Sequence, residues 1–183
     1  MGAIQELASE LGAEERTLRR AVSQGTIHSR RSGPRRTKLE PGEADYLKAH
    51  WKLLLDLRKA LRTEPKVRLA VLYGSVARGQ EDADSDLDLL VASPDDEPAA
   101  VPGLANRLGR VCGRHADVAL LDKIDKDAPL LLNRVIDEGR VLVDRDGIWD
   151  ELRRRRRAIA ARAMRSYERQ MSEAATAIEE STA

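Results

Sequence analysis

The stretch Leu69 to Ser93 constrains this chain more than any other. It opens with the apolar run Leu69-Ala-Val-Leu-Tyr73, which reads as a buried strand. Gly74-Ser75 stops that strand, Val76 to Gly79 predicts one or two helical turns, and Gln80 to Ser85 reads as a polar loop. Asp86-Leu-Asp-Leu-Leu-Val91 then predicts a second strand. Side chains alternate along a strand, so Asp86 and Asp88 share one face and Leu87 and Leu89 the other. Two carboxylates side by side are costly unless a cation lies between them, and a pair of Mg²⁺ ions suits carboxylate oxygens combined with substrate phosphates. Gly74-Ser75 suits the same ligand, because a glycine lets backbone N–H groups approach phosphate oxygens closely. The competing reading is a β-hairpin with a solvated acidic face.

The spacing decides between these readings. Gly74-Ser75, ten residues, then Asp86-x-Asp88 resembles the signature of the DNA-polymerase-β-like nucleotidyltransferases. The wording is most similar to the minimal nucleotidyltransferase group, on Gly74, Ser75, Arg78, Gly79, Ser85, Asp86, Asp88 and Leu89. The run Glu138 to Asp146 resembles the end of such domains, so the resemblance covers about residues 66–146. It implies a third carboxylate on the strand after the next helix. Asp117, at the start of Ala116 to Leu121, matches by position, and Asp122 at the far end of that strand is the weaker candidate. His115, two residues before Asp117, is assigned no catalytic role.

The resemblance also implies the chemistry, which is transfer of a nucleoside monophosphate from an NTP, ATP first, to an acceptor hydroxyl. Asp86, Asp88 and Asp117 would hold two Mg²⁺ ions, and Asp117 would help to deprotonate the acceptor. Gly74, Ser75 and Arg78 would bind the nucleotide's phosphates. Members of the group include antitoxins that modify a partner toxin. Two alternatives stay open: a DNA-binding transcriptional regulator, or a partner protein that neutralises a toxin without catalysis.

Charge is unevenly placed along the 183 residues. Residues 1–65 carry 13 Lys+Arg against 9 Asp+Glu (net +4), residues 66–150 carry 11 against 17 (net −6), and residues 151–183 carry 8 against 5 (net +3). An acidic middle between basic flanks fits a cation site beside surfaces for an anionic partner. Cys112 is the only cysteine, which excludes an intramolecular disulfide, and it reads as a small core residue rather than a nucleophile. No apolar run approaches the length of a membrane span, and a cytoplasmic protein is expected.

Ile4, Leu7, Ala8 and Leu11 predict an amphipathic helix up to Gly12, and Glu14 to Gln24 a second one closed by Gly25. This looks like a helix-turn-helix, and the segment from Thr26 to Leu39 like a hairpin or wing. Arg16, Arg19, Arg20, Arg30, Arg31, Arg35, Arg36 and Lys38 fall in one stretch without acidic residues, which predicts binding of duplex DNA. A helical hairpin that merely packs on the main domain is the alternative. Pro41-Gly42 precedes a connecting helix, Glu43 to Arg62, whose His50 reads as structural. After Gly147 a long helix follows, with five arginines at 153–157 and a weak heptad seam of Met164, Tyr167, Met171, Ala174 and Ile178. That seam suits a partner protein, a homodimer, or a solvated tail.

The expected fold class is therefore α/β, a small mixed sheet of the nucleotidyltransferase type with flanking helices, an N-terminal helix-turn-helix and a long C-terminal helix. The expected units are 1–40 (helix-turn-helix and wing), 41–65 (connecting helix), 66–146 (nucleotidyltransferase domain) and 147–183 (C-terminal helix).

Overall fold

The structure is a computed structural model that describes residues 3–31, 37–94 and 100–182. Its centre is a sheet in the order β5 (Ala116–Leu120), β4 (Leu87–Ala92), β3 (Leu69–Tyr73), β6 (Arg140–Asp144). β3 pairs antiparallel with both β4 and β6, whereas β4 and β5 are parallel. Parallel neighbours need a crossover, and helix α5 (Ala100–Cys112) supplies it. The sheet is mixed and helices cover both faces, which is the α/β class expected.

Alternation along β4 divides the core in two. Leu87, Leu89 and Val91 face a cluster with Leu47, Leu54 and Leu57 of helix α3 (Glu43–Arg62) and with Leu104 and Leu108 of α5. Leu90 faces the other way, towards Leu132, Val135 and Ile136 of helix α7 (Pro129–Glu138) and Trp149, Leu152 and Ile159 of helix α8 (Ile148–Thr182). A fully buried leucine contributes about 1.5–3 kcal/mol, so a central strand with leucines on both faces is strongly fixed in register. That register positions Asp88.

Helices α1 (Ala3–Glu10) and α2 (Glu15–Gln24) and the hairpin β1 (Ser29–Arg31) with β2 (Thr37–Leu39) form the N-terminal segment. Ile4, Leu7, Leu18, Ala21 and Ile27 belong to the same core cluster as α3 and the sheet. Buried hydrogen bonds cross the expected boundary at residue 40. Thr26 Oγ1 donates to Val141 O at 2.5 Å, and Val141 N–H donates to Gly25 O at 3.1 Å.

One ion pair ties these parts together. Glu43 opens α3 and Arg140 opens β6, and both are buried. Arg140 donates to the Glu43 carboxylate through both terminal nitrogens, at 2.6 and 3.0 Å. Its Nε donates to Ala77 O at 2.6 Å, and its guanidinium lies 3.4 Å from the Tyr46 ring centroid. Glu43 Oε1 also accepts the His28 N–H at 2.9 Å.

Three details differ from the sequence reading. The strand bearing Asp117 ends at Leu120, so Asp122 lies in the first turn of helix α6 (Leu121–Asp127) and not on the strand. α6 itself was not foreseen. Asp86 precedes β4 rather than opening it. The C-terminal helix is held on the domain through Trp149, Leu152, Ile159 and Ala163, with Asp125 of α6 accepting from Arg155 and Arg162. Beyond that, Met164, Tyr167 and Met171 are exposed, and the Ile178 side chain lies outside the described residues. No described helix is long and apolar enough to cross a membrane.

Breaking a buried ion pair strands the surviving charge, typically at about 3–5 kcal/mol. Glu43→Ala should therefore lower the unfolding free energy by roughly that amount in a urea melt. The double variant Glu43→Leu/Arg140→Met, which leaves no stranded charge, should recover most of the loss.

Candidate active site

The carboxylates meet at one end of the sheet, on the face that carries α7 and α8. Register places Tyr73 opposite Asp88 and Asp88 opposite Asp117, so the three form a row across β3, β4 and β5. Asp86 lies one turn of the pleat earlier, at the mouth of β4. Leu87 N–H donates to His115 O at 2.9 Å, which extends the parallel ladder to the loops that carry Asp86 and His115.

Gly74 makes room for this arrangement. It follows β3 with φ +76° and opens the short helix α4 (Gly74–Arg78). A Cβ at Gly74 would lie 2.0 Å from Asp88 Oδ2. The Asp88 carboxylate thus fills the space that any other side chain would take, directly against the Gly74-Ser75 backbone.

The loop between α4 and β4 is built to deliver Asp86. Ser85 Oγ donates to Asp82 Oδ1 at 2.7 Å and accepts the Asp82 N–H at 3.0 Å, and Asp84 N–H donates to Asp82 Oδ1 at 3.1 Å. The Ser85 hydrogen bond holds the Asp82 carboxyl below its ordinary range. The other end of the loop is clamped by Glu81, whose carboxylate meets His50 Nε2. His50 in turn stacks on Tyr46 at 4.3 Å, with its Nδ1 against Tyr46 O at 2.9 Å. Burial pushes Glu81 up, but the His50 hydrogen bond and neighbouring charges outweigh it and leave the carboxyl below its usual value.

The electrostatics of the row are adverse without a cation. Burial, then Asp117, then Asp86 push the Asp88 carboxyl up, and Arg78 offsets part of this. Burial, Asp88 and Asp117 likewise raise the Tyr73 hydroxyl. Asp86, His115 and Asp117 each offer a donor atom, and these atoms lie within 4.8 Å of one another. A polarised, crowded carboxylate row with open access is a donor set that fits divalent cations.

The remaining candidates fall into two groups. Arg78 donates to Gln80 Oε1 and to Glu138 Oε1, both at 2.8 Å, so it latches α4 to α7 while its charge still reaches Asp88. Arg16, Arg19 and Arg20 lie exposed on α2, with Arg19 Nε donating to Glu15 at 2.7 Å, and Arg30 is exposed on β1. This group is separate from the carboxylate row. The Arg31 side chain and all of Arg35 and Arg36 lie outside the described residues. Cys112 is half-buried and its thiol is pushed up to about 11, which suits a packing residue.

Sequence reasoning missed Tyr73 and passed over His115. Tyr73 had a signal, since it is the residue immediately before Gly74 and so the last side chain on the strand end that faces Asp88. The His115–Asp86 approach had none, because it depends on the parallel pairing of β4 with β5.

The family model described as polymerase β, nucleotidyltransferase matches residues 56–148, which is 93 of the 183 residues. The chain belongs to the polymerase-β nucleotidyltransferase family. It is a nucleotidyltransferase, and the matched span holds Gly74-Ser75 and all three aspartates of the row. The chain matches no curated protein. Among solved structures, it is similar to a chain of a toxin–antitoxin solved with AMP-PNP, at 23% identity and TM-score 0.48, over 71% of this chain and 98% of that chain. It is also similar to a chain of the tri-AMPylated Shewanella oneidensis HEPN toxin in complex with MNT antitoxin, at 23% identity and TM-score 0.47, over 73% of this chain and 99% of that chain.

The raised Asp88 carboxyl has a consequence for stability. A carboxyl that titrates higher in the folded than in the unfolded state binds its proton more tightly when folded. Stability is then lost as pH rises from the unfolded value through the folded one. Asp88→Asn removes this cost, so in metal-free buffer at neutral pH the variant should melt higher than the parent. The difference should vanish on acidifying below the ordinary carboxylate range, as read by calorimetry at a series of pH values.

Proposed function

We propose that the protein transfers AMP from ATP, with Mg²⁺ bound, to a hydroxyl of an acceptor protein, and that the acceptor is a partner toxin. The observation that carries this reading is the Asp88–Asp117 register set directly against the Gly74-Ser75 turn. The minimal-nucleotidyltransferase wording of residues 74–89 supports a toxin as the acceptor, and the chain's own ATP would come from the cytoplasm.

Asp86, Asp88 and Asp117 would hold the metal, because their crowding is relieved by positive charge. Two Mg²⁺ ions there would supply neutralisation of the triphosphate and stabilise the attacking and leaving oxygens of an in-line displacement. The protein's own part is positional. Gly74 and Ser75 bring backbone N–H groups and a hydroxyl to the phosphates, and Arg78, latched by Glu138, adds fixed positive charge nearby. Asp117 is exposed, so an acceptor hydroxyl can reach it and give up its proton there. The acceptor oxygen then bonds to the α-phosphorus, the bond from that phosphorus to the bridging oxygen breaks, and pyrophosphate leaves.

Met164, Tyr167 and Met171 continue one another at spacings of three and four on the exposed part of α8 and offer the toxin a docking face. Asp86→Asn and Asp88→Asn should each lower the rate of pyrophosphate release in the presence of acceptor by about a thousandfold, the several kcal/mol that metal assistance supplies. Release at the parent rate by either variant would remove this reading.

A second role in DNA binding is favoured by one observation: Arg16, Arg19 and Arg20 lie together on the exposed surface of α2, opposite the buried Leu18 and Ala21. With Arg30 of β1 they would make phosphate contacts. Four such contacts on one protomer predict that log K falls with log salt with a slope of about −4, measured by fluorescence anisotropy on duplex DNA. A salt-insensitive signal would leave this surface without a nucleic-acid role.

A further inference from the structure

Asp88 is the inner carboxylate of the row, with its Oδ2 against Gly74. The outer half contains Asp86 and Asp117, and a third donor of a different kind completes it. His115 Nδ1 lies 3.5 Å from Asp86 Oδ2 and 3.9 Å from Asp117 Oδ1. We propose that His115 is a metal ligand, and that Asp86, Asp117 and His115 form a two-carboxylate, one-imidazole site that favours Mn²⁺ over Mg²⁺. The proposal rests on the reading of this sheet end as the site of nucleotidyl transfer.

The geometry suits one cation. Donors bound to a single ion at about 2.0–2.2 Å lie roughly 3–4.3 Å apart in an octahedral arrangement. The two distances from His115 fall in that range, and all three donor atoms lie within 4.8 Å of one another. The backbone holds the donors in place. The ladder pairs Leu87 with Ala116 and Asp88 with Asp117, and Leu87 N–H donates to the carbonyl of His115 itself. Among the described residues, the imidazole has no polar partner besides the two carboxylates. Its side chain is 69% exposed, so a cation with its waters can reach it.

The chemistry gives the selectivity. Mg²⁺ takes oxygen ligands almost exclusively and gives up water reluctantly. Mn²⁺ shares its preference for carboxylates, but affinity for sites with nitrogen donors increases along the first-row series from Mn²⁺ towards Co²⁺ and beyond. Two carboxylates alone would not separate the two ions by much, and an imidazole does. The outer position would then accept Mn²⁺ before any nucleotide arrives, while the inner position beside Gly74 keeps only oxygen donors.

The test uses full-length protein with Mn²⁺ alone and no nucleotide. Pulsed electron paramagnetic resonance should show ¹⁴N coupling to the bound Mn²⁺, and His115→Ala should abolish it. Titration calorimetry should show Mn²⁺ affinity lowered about tenfold or more in that variant, on the scale that loss of a metal's ligand support has, with a smaller change for Mg²⁺. His115→Gln, which keeps the side chain's bulk and polarity, gives the same comparison should His115→Ala melt early. Absence of ¹⁴N coupling in the parent, its persistence in both variants, or equal losses for the two ions would overturn the proposal. Transfer by a parent protein that shows no ¹⁴N coupling would sink this proposal and leave the proposed function standing. Coupling in a parent that transfers nothing would do the reverse.

Discussion

Much of the structure depends on the buried contact between Glu43 and Arg140. It joins residues 97 apart in sequence and satisfies both charges inside the protein. Arg140 opens β6, Glu43 opens α3, and the same guanidinium holds the Ala77 carbonyl of α4 and covers the Tyr46 ring. The pair therefore fixes the angle between the connecting helix and the sheet. It also fixes the helix that begins with Gly74-Ser75. His28 and Thr26 reach the same hub, so the N-terminal segment is bonded to the catalytic part through it. The chain of contacts runs from the hub to the candidate site in a few steps: from Arg140 to Tyr46, from Tyr46 to His50, and from His50 to Glu81 on the loop that delivers Asp86.

A second constraint opposes the first. The sheet gathers Asp86, Asp88 and Asp117 where their mutual repulsion alone would keep them apart. Packing settles the contest, since Leu87, Leu89, Leu90 and Val91 are buried and hold β4 in register. The carboxylates on the same strand must follow. The cost is concentrated on Asp88, which is the most enclosed of the three and sits against Gly74. A row of this kind is unfavourable by itself and is relieved by a cation.

The sheet strands, the Gly74-Ser75 turn and the aspartate spacing were legible because each is local. A run of five apolar residues, a glycine stop and an alternating Asp-Leu-Asp-Leu carry their own geometry. The position of Asp117 was legible through the family resemblance, and the register places it beside Asp88. What stayed hidden was non-local or chemically ambiguous. Glu43 and Arg140 look like surface residues in sequence, and nothing local marks them as a buried pair. Helix α6 was obscured because Asp122 to Asp127 alternates charges around a single Ile124, which gives no apolar face to read. His115 reads as an ordinary loop residue until β5 is paired with β4. Arg78 matched the motif, and its latch to Glu138 across 60 residues could not be seen from either end.

The proposed chemistry is nucleotidyl transfer from the α-phosphorus at the Asp86–Asp88–Asp117 row. The most direct measurement supplies ATP labelled at either the α- or the γ-phosphate, with Mg²⁺ and the proposed partner toxin, and follows the label onto protein. The account predicts label from the α-position only, and none with Asp88→Asn. Label arriving from the γ-position, or from the α-position with Asp88→Asn as fast as with the parent, would contradict it.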